Sequence, residues 1–231
     1  MKIEIWSDVV CLFCYIGFTQ FNKALDQFEY KDKVNVIYRS FQLNSDVSSD
    51  SGELKAFEQL ARAKGQSIEA MRINFSSIEK MGRAEGLEMR MLEVATLNTF
   101  KVHKLIHFAS RYGKGYDAMA AAYGAYFSDV KNVAESKVLL ELIKGLGLNV
   151  DDFNSALSSE EYNTLVDSDI SRASRLGVRG VPAFVADGVK GITGARGVEA
   201  FRDFLDLAWR ESRVMSKVDD DSVRADESCV A

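Results

Sequence analysis

The chain has 231 residues, and 47% of them are hydrophobic, which is enough for a packed core. The formal charge is −5 with Lys and Arg scattered along the chain, so we expect no basic surface of the kind that binds nucleic acid. The first residues lack the apolar core of a signal peptide, and no apolar run is long enough to span a bilayer. We therefore expect a cytoplasmic protein without a nucleic-acid or membrane partner, in which thiols stay reduced.

The first 41 residues predict a strand, a helix and a second strand. Residues 2–6, KIEIW, alternate apolar and charged side chains, as in a strand with one face more buried. Apolar residues then recur at helical spacing from about Leu12 to Phe28, and residues 33–41 are again rich in strand-forming residues. This order is typical of a βαβ unit.

A long helical region follows, from Leu54 to about Leu176. Its segments include the run LEVATLNTFKVHKLIHFASRYG, which begins at Leu92. Glycines stand where helix ends are expected, at Gly65, Gly86, Gly113, Gly145 and Gly177. We interpret residues 45–176 as a helical insertion domain.

A second strand-forming region follows Gly177. Two short apolar runs meet at Asp187-Gly188, a pair that favours a tight hairpin turn, and a last helix is predicted from Val198 to about Arg213. Residues 213–231 are acidic and aperiodic, which predicts a flexible tail. The prediction is one discontinuous α/β domain, residues 1–44 and 177–212, interrupted by the insertion.

Cys11 and Cys14 lie at the start of the first predicted helix. The unsatisfied N–H groups and the positive end of a helix macrodipole favour a thiolate there. Cys14, one turn later, is spaced to attack a mixed disulfide that Cys11 forms. Half of a zinc site and a pair of inert core thiols are the alternatives. Zinc is disfavoured because no second Cys pair exists and the two histidines, His103 and His107, lie in the insertion.

The chain contains a single proline, Pro182, at the start of a predicted strand. A Val181-Pro182 bond is able to be cis at a cost of about 0.5–1 kcal/mol, and a cis bond would turn the Val181 backbone toward a neighbouring chain. An ordinary trans proline that begins a strand is the alternative.

As a set, SDVVCxxCYIG, RSFQLN, LNTFKVHKL and GVRGVPAFVADG resemble the DsbA family, and in particular its FrnE-type cytoplasmic members. The resemblance spans about residues 2–212. It implies an α/β thioredoxin fold with a large all-helical insertion, and thiol-disulfide exchange without a dissociable cofactor. In this family Cys11 would be the exposed attacking thiol, Cys14 the buried resolving thiol and Pro182 the cis-proline. Glutathione would be a reductant or co-substrate, and relatives are often homodimers.

The same resemblance assigns substrate binding to the Val181 backbone, to Leu12 and Phe13 between the cysteines, and to Asn98 and His103 in the insertion. Family members usually have proline after the first cysteine, often followed by tryptophan or histidine. Phe13 cannot stabilise a thiolate as histidine does. The pair is therefore predicted to be weakly oxidising, nearer the thioredoxin end of a range from about −270 to about −120 mV.

Three further features leave alternatives open. Asp8 is interpreted as a helix cap or a solvated loop acid, with influence on thiol proton transfer as the alternative. An aromatic strip is interpreted as helix core, with the floor of a peptide groove as the alternative; it consists of Tyr112, Tyr116, Tyr123, Tyr126 and Phe127. Cys229 is expected to be a solvated tail cysteine, with regulation of Cys11 or an interchain link as the alternatives.

Two other functions remain at this point. One is a glutathione-dependent isomerase or transferase of the kappa or hydroxychromene-carboxylate isomerase type, which shares this fold but generally carries a single serine or cysteine in place of the pair. The other is a redox-sensitive holdase that binds unfolded chains through the insertion.

Overall fold

The structure, a computed structural model, describes residues 1–47 and 54–227, with side chains in the last helix described as far as Arg213. Cys229 lies outside the described residues, so its predicted roles stay predictions. Within the described ranges, no helix is both long enough and apolar enough to cross a bilayer.

A four-stranded mixed sheet forms the centre of the molecule. Its strands are β1 (Lys2–Ser7), β2 (Asn35–Ser40), β3 (Ala183–Ala186) and β4 (Lys190–Thr193), in the order β2-β1-β3-β4. β1 runs parallel to β2 and antiparallel to β3, with Ile5 opposite Phe184. The predicted hairpin turn between β3 and β4 is confirmed, because Asp187 and Gly188 both adopt positive φ angles, 47° and 76°.

Helices account for most of the remaining described chain. They are α1 (Leu12–Asp26), α2 (Ala56–Lys64), α3 (Ile68–Ala84), α4 (Phe100–Ser110), α5 (Gly115–Tyr123), α6 (Ser136–Gly145), α7 (Val150–Leu157), α8 (Glu160–Arg175) and α9 (Val198–Glu227). A short 3₁₀ turn precedes β2 at Lys31–Lys33, and α5 continues into a π-helical turn at Gly124–Ser128.

One face of the sheet is covered by α1 and α9. Ile3 and Ile5 of β1 point to this side and are buried in the main hydrophobic core. Phe21 of α1 packs between Phe184 and Phe201, with ring centroids 5.1 and 5.8 Å away. The alternation in KIEIW correctly predicted that the side of β1 with Ile3 and Ile5 is buried.

The opposite face is covered by α8, which belongs to the predicted insertion. The indole N–H of Trp6 donates to the carbonyl of Asp169 at 3.0 Å, and Trp6 packs with Ala173 of the same helix. Glu4 also points to this face and is fully buried. Both faces of β1 are thus buried, whereas the sequence predicted that one face would be more buried than the other.

The structure corrects two predicted helix boundaries. α4 begins at Phe100, because the chain before it pairs with residues 54–56: Ala95 bridges Lys55, and the Thr96 N–H donates to the Leu54 carbonyl at 2.9 Å. The prediction of a helix from Leu92 is therefore wrong for these residues. At the other end, α9 continues to Glu227, beyond the predicted end near Arg213. The flexible tail at 213–231 stays a prediction.

Candidate active site

The two cysteines occupy the turn that joins β1 to α1. The N–H of Cys11 donates to the Asp8 carbonyl at 3.1 Å, which closes the turn, and Cys11 is the N-cap of α1. The N–H of Cys14 donates to the Cys11 carbonyl at 3.0 Å, so the second thiol follows within the first turn. Strand, tight turn and helix thus place both sulfurs at the positive end of the helix macrodipole.

Both cysteines are reduced, and their side chains are close enough for Cys11 to act on the pKa of Cys14. Burial raises the pKa of Cys14 well above its usual value, and the neighbouring Cys11 raises it further. Hydrogen bonds from the Ser7 side chain and the Asp8 backbone act in the opposite direction. Cys14 is thus a shielded thiol whose ionisation depends on the few donors that reach it.

Cys11 is the more accessible thiol, but it is not exposed. Its exposed fraction is 7% and that of Cys14 is 0%, so the expectation of an exposed attacking thiol is wrong. The Cys11 thiol donates to the Val181 carbonyl at 3.6 Å, because the chain before β3 packs over the helix tip. A substrate has to approach this sulfur through the surrounding cleft.

The Val181-Pro182 peptide bond is cis, as predicted. The Pro182 carbonyl accepts a hydrogen bond from the N–H of Gly194 at 2.8 Å, which ties this segment to the end of β4. On the other side, the Pro182 ring lies against Gly17 of α1. A Cβ atom built at Gly17 would be 2.9 Å from the proline Cγ, so only glycine lets the ring approach this closely. Gly17 had no predicted role, although it lies three residues after the second cysteine, in CYIG.

A cleft of about 620 Å³ opens beside Cys11, between the cysteine turn and helices α2 and α3. Apolar side chains of the insertion line it, including Leu60, Met71, Phe75 and Ile78. Leu12 and Phe13 line it next to Cys11, and Phe13 is 40% exposed. Among the described lining residues Lys64 is the only one with a charge. This volume lies in the range of small-molecule pockets.

The structure does not bring Asn98 and His103 to this cleft. The Asn98 amide instead holds the chain after β2: its Oδ1 accepts from Gln42 at 2.8 Å, and its Nδ2 donates to the Val47 carbonyl at 2.9 Å. His103 is 2% exposed, with its Nε2 buried 3.7 Å from Asp8 Oδ1. The predicted direct contact between His103 and a substrate does not fit this structure, because Asp8 and helix packing enclose the ring.

Asp8 is fully buried, so its interpretation as a solvated loop acid is also wrong. Its Oδ2 accepts a 2.7 Å hydrogen bond from the N–H of Leu43, which joins the cysteine turn to the chain after β2. His107, the second histidine, contacts Asp169 and Ser40 instead. Among the described residues, no three His, Cys, Asp or Glu side chains are grouped as metal ligands.

A family model described as a DSBA-like thioredoxin domain matches residues 2–206. The chain belongs to this family. The predicted DsbA-family membership and the α/β thioredoxin fold with its helical insertion are thus confirmed.

Several individual proteins are similar to this chain. A probable DsbA oxidoreductase of Streptomyces coelicolor is 34% identical, with a TM-score of 0.86 and 91% of each chain covered. The uncharacterized protein YwbO of Bacillus subtilis (strain 168) is 28% identical over 203 residues, 87% of this chain and 94% of its own. The cytosolic disulfide reductase DsbM of Pseudomonas aeruginosa, solved with GSH, is 17% identical, with a TM-score of 0.62 over 91% of this chain and 100% of its own. At that identity the likeness to DsbM concerns the fold alone.

A second group of residues in this DSBA-like site was not predicted from the sequence. Ser7, the last residue of β1, is buried, and its hydroxyl lies 2.5 Å from the hydroxyl of Tyr123. Tyr123 was included only as part of an aromatic strip. The one sequence signal for this pair was a serine directly before the cysteine turn. That signal says nothing about a partner 116 residues away.

Proposed function

We propose that this protein is a thiol-disulfide oxidoreductase that acts through Cys11 and Cys14. The Cys11 thiolate attacks a disulfide R–S–S–R′, forms the mixed disulfide Cys11–S–S–R and releases R′–S⁻. Cys14 then attacks the Cys11 sulfur and releases R–S⁻, so the substrate gains two electrons and the protein forms a disulfide. A second thiol pair or glutathione then reduces the Cys11–Cys14 disulfide and is itself oxidised, which returns the protein to its dithiol form. The observation that carries this proposal is the contact between two reduced thiols at a helix N-terminus, one of which lines an open cleft.

The neighbours of Cys11 fit these roles. The Val181 carbonyl lies against the attacking sulfur, so the backbone beside Pro182 is placed to bind an extended substrate chain. Leu12 and Phe13 provide apolar contacts at the mouth of the cleft. Protein disulfides and small-molecule disulfides are the proposed substrates. We propose a cytoplasmic location, with glutathione as a reductant, since DsbM is a cytosolic reductase solved with GSH.

The complete cysteine pair is the main argument against a glutathione-dependent isomerase. An isomerase needs one group that activates or replaces the glutathione thiol, whereas exchange needs a resolving thiol in contact with the first. Cys14 makes that contact. A redox-sensitive holdase would bind unfolded chains through the insertion and would use the thiols only as a sensor. A homodimer is compatible with each of these functions and is not part of the proposal.

Insulin reduction by dithiothreitol tests the proposal. Wild type is expected to accelerate precipitation of the insulin B chain, and Cys11→Ser to fall to the uncatalysed rate, because no mixed disulfide forms. Cys14→Ser is expected to lose turnover while it accumulates a covalent mixed disulfide, visible by mass spectrometry of the intact protein. Cys229→Ser is the matched control, since it removes the thiol outside the pair, and it is expected to behave as wild type.

The other outcomes would contradict the proposal. Full insulin reduction by Cys14→Ser would exclude a resolving role. Conversion of a glutathione conjugate that survives Cys14→Ser would favour the isomerase. Suppression of aggregation that is indifferent to both substitutions, without any reductase activity, would favour the holdase.

A further inference from the structure

Ser7 and Tyr123 form a buried hydroxyl pair directly below the cysteine turn. Ser7 ends β1, and Tyr123 ends α5 in the insertion, so the pair joins the two parts of the molecule. Both side chains are almost completely buried, and their oxygens lie 2.5 Å apart. Within the described residues the Tyr123 hydroxyl makes its hydrogen bond to Ser7. The Ser7 hydroxyl is also one of the groups that lower the pKa of the Cys14 thiol, which places it beside that sulfur.

The Cys14 sulfur needs such a donor. It has to become a thiolate to attack a mixed disulfide, but it is fully buried, and burial disfavours the charged form. Burial raises its pKa most, the adjacent Cys11 raises it further, and the hydrogen bonds from Ser7 and the Asp8 backbone lower it. Asp8 contributes a backbone group that no side-chain substitution removes, so Ser7 is the side chain that offsets the cost of the charge.

We propose that Ser7 is a catalytic residue of the resolving step and that Tyr123 is its positioning residue. The Ser7 hydroxyl donates its proton to the Cys14 thiolate, and the Tyr123 hydroxyl donates to the Ser7 oxygen. A serine hydroxyl has one proton and two lone pairs, so a donor on the oxygen side leaves the proton directed at the sulfur. The inference deepens the proposed function and rests on it.

The chemistry of the step balances without an additional reactant. Cys14–S⁻ attacks Cys11–S–S–R, the bond between Cys11 and R breaks, and the bond between Cys11 and Cys14 forms. In this step the Cys14 sulfur is oxidised, the R sulfur is reduced to R–S⁻, and the Cys11 sulfur stays at the disulfide level. The proton lost by Cys14 ends on the leaving thiolate, directly or through solvent. Ser7 keeps its own proton throughout and stabilises the negative sulfur while it lasts.

The surroundings of Tyr123 hold its hydroxyl in place. Its ring stacks on Tyr15 of α1, with centroids 4.9 Å apart and an interplanar angle of 14°, and packs against Phe18 at 5.6 Å. The helix changes from α to π directly after it, at Gly124, and such local π turns occur frequently at functional sites. Burial also raises the pKa of Tyr123 well above its usual value, so the phenol keeps the proton that it donates.

Other titratable groups face the same sulfur and must be constant in any test. Cys11 adjoins it at the N-terminus of α1, Asp8 precedes it in the turn, and His103 of α4 faces Asp8. Tyr123 approaches from α5. Substitutions at Ser7 and Tyr15 leave all of these groups present, so differences in pH dependence report the serine hydroxyl itself.

Single-turnover reaction with a symmetric aromatic disulfide separates the two chemical steps. With the reagent below the enzyme concentration, attack by Cys11 releases one coloured thiolate at a rate that depends on concentration. Attack by Cys14 releases the second at a rate that does not. We expect Ser7→Ala to slow the second phase by roughly 10-fold to 100-fold at neutral pH, the effect of one hydrogen bond to a charged group, and to move its pH midpoint upward. The first phase should change by less than about twofold, which also reports that the variant is folded.

Three further variants complete the test. Ser7→Thr keeps the hydroxyl and is expected to restore most of the second-phase rate. Tyr123→Phe removes the donor to Ser7 but leaves Ser7, so it should slow the same phase by less than Ser7→Ala does. Tyr15→Phe is the matched control, because it removes a hydroxyl from the same aromatic stack and keeps the ring that packs on Tyr123, and it should match wild type.

Failure of the inference and failure of the proposed function give different results. If wild type releases only one thiolate per reagent molecule, the proposed function fails. If wild type shows both phases and Ser7→Ala keeps the second-phase rate and pH midpoint, only the role of Ser7 is overturned. Equal slowing of both phases by Ser7→Ala, or failure of Ser7→Thr to recover, would likewise overturn it.

Discussion

The approach of Pro182 to Gly17 sets the position of the chain that faces the thiols. The proline ring is rigid and buried, and the glycine lies in the interior of α1, where its lack of a side chain provides the space. Alanine is the better helix former by about 1 kcal/mol, whereas forcing a methyl group against a packed ring costs about 1–3 kcal/mol. These two contributions oppose each other, so exchange activity reports the contact better than stability does.

Gly17→Ala is therefore expected to slow attack by Cys11 by roughly 10-fold to 100-fold, because the displaced loop carries the Val181 carbonyl away from the sulfur. The free energy of unfolding should fall by no more than about 2 kcal/mol. Thiolate release in the aromatic-disulfide reaction measures the first effect, and urea unfolding measures the second.

Gly145→Ala is the matched control. Gly145 is the last residue of α6, and a Cβ built there meets no atom within 4 Å. This variant should keep wild-type exchange. Equal exchange rates for Gly17→Ala and Gly145→Ala would contradict the importance of the Gly17–Pro182 contact.

At the scale of elements, a buried ionic cluster connects β1, β2 and α8. Arg172 of α8 donates to both carboxylate oxygens of Glu4, at 2.9 and 2.6 Å. Arg39 of β2 bridges Glu4 and Asp169, at 2.6 and 2.8 Å. Burial alone would raise the pKa of Glu4, but the hydrogen bonds from Arg172 and Arg39 outweigh it and lower the pKa from 4.5 to about 2. The cluster thus stabilises the folded state through ionised Glu4.

The pH dependence of stability follows from this direction. A carboxyl group with a lowered pKa in the folded state contributes stability above pH 4.5, and loses it as the pH falls toward about 2. Glu4→Gln should reduce the free energy of unfolding at pH 7 by about 1–3 kcal/mol, because two partly buried guanidinium groups lose their partner. Urea unfolding over a pH series should show the deficit shrink between pH 4.5 and about 2.

Glu199→Gln removes the same charge from an exposed pair with Arg202 and serves as the control. It should change stability by less than about 0.5 kcal/mol at any of these pH values. A Glu4→Gln deficit that is constant with pH would show that the carboxylate is not ionised in the folded protein and would contradict this account.

The same elements show how far local sequence signals reach. The alternation in KIEIW, the Asp187-Gly188 turn and the position of Cys11 at a helix start depend on neighbouring residues, and they were predicted. Glu4 was expected on the less buried face of β1. Its burial was not predicted because its partners, Arg39 and Arg172, lie 35 and 168 residues away in the sequence. Residues 94–96 stand in a run that predicted a helix, yet they pair with residues 54–56. In both cases a tertiary contact overrides the local preference.

At the scale of the whole molecule, the insertion does more than extend the fold. It supplies Tyr123 below the cysteines, α2 and α3 beside them, and α8 on the far face of the sheet. The proline and both thiols were selected from the sequence, because a Cys-x-x-Cys motif and a single proline are visible without any structure. The cleft, Gly17 and the Ser7–Tyr123 pair were not found, since each exists only where distant segments meet.

This arrangement also bears on redox potential. Phe13 lies between the cysteines, partly exposed and without a hydrogen-bond donor in its side chain, so it cannot stabilise a thiolate as a histidine there would. Burial meanwhile holds Cys14 in its protonated form. A reduced state without extra stabilisation makes the disulfide a weak oxidant.

Equilibration of the Cys229→Ser variant in glutathione buffers, followed by alkylation of free thiols and mass spectrometry, tests the central claim most directly. We predict one two-electron transition between the dithiol and a Cys11–Cys14 disulfide, with a potential nearer about −270 mV than about −120 mV. A glutathione adduct on Cys11 that never resolves, or a potential near the oxidising end of that range, would contradict the account.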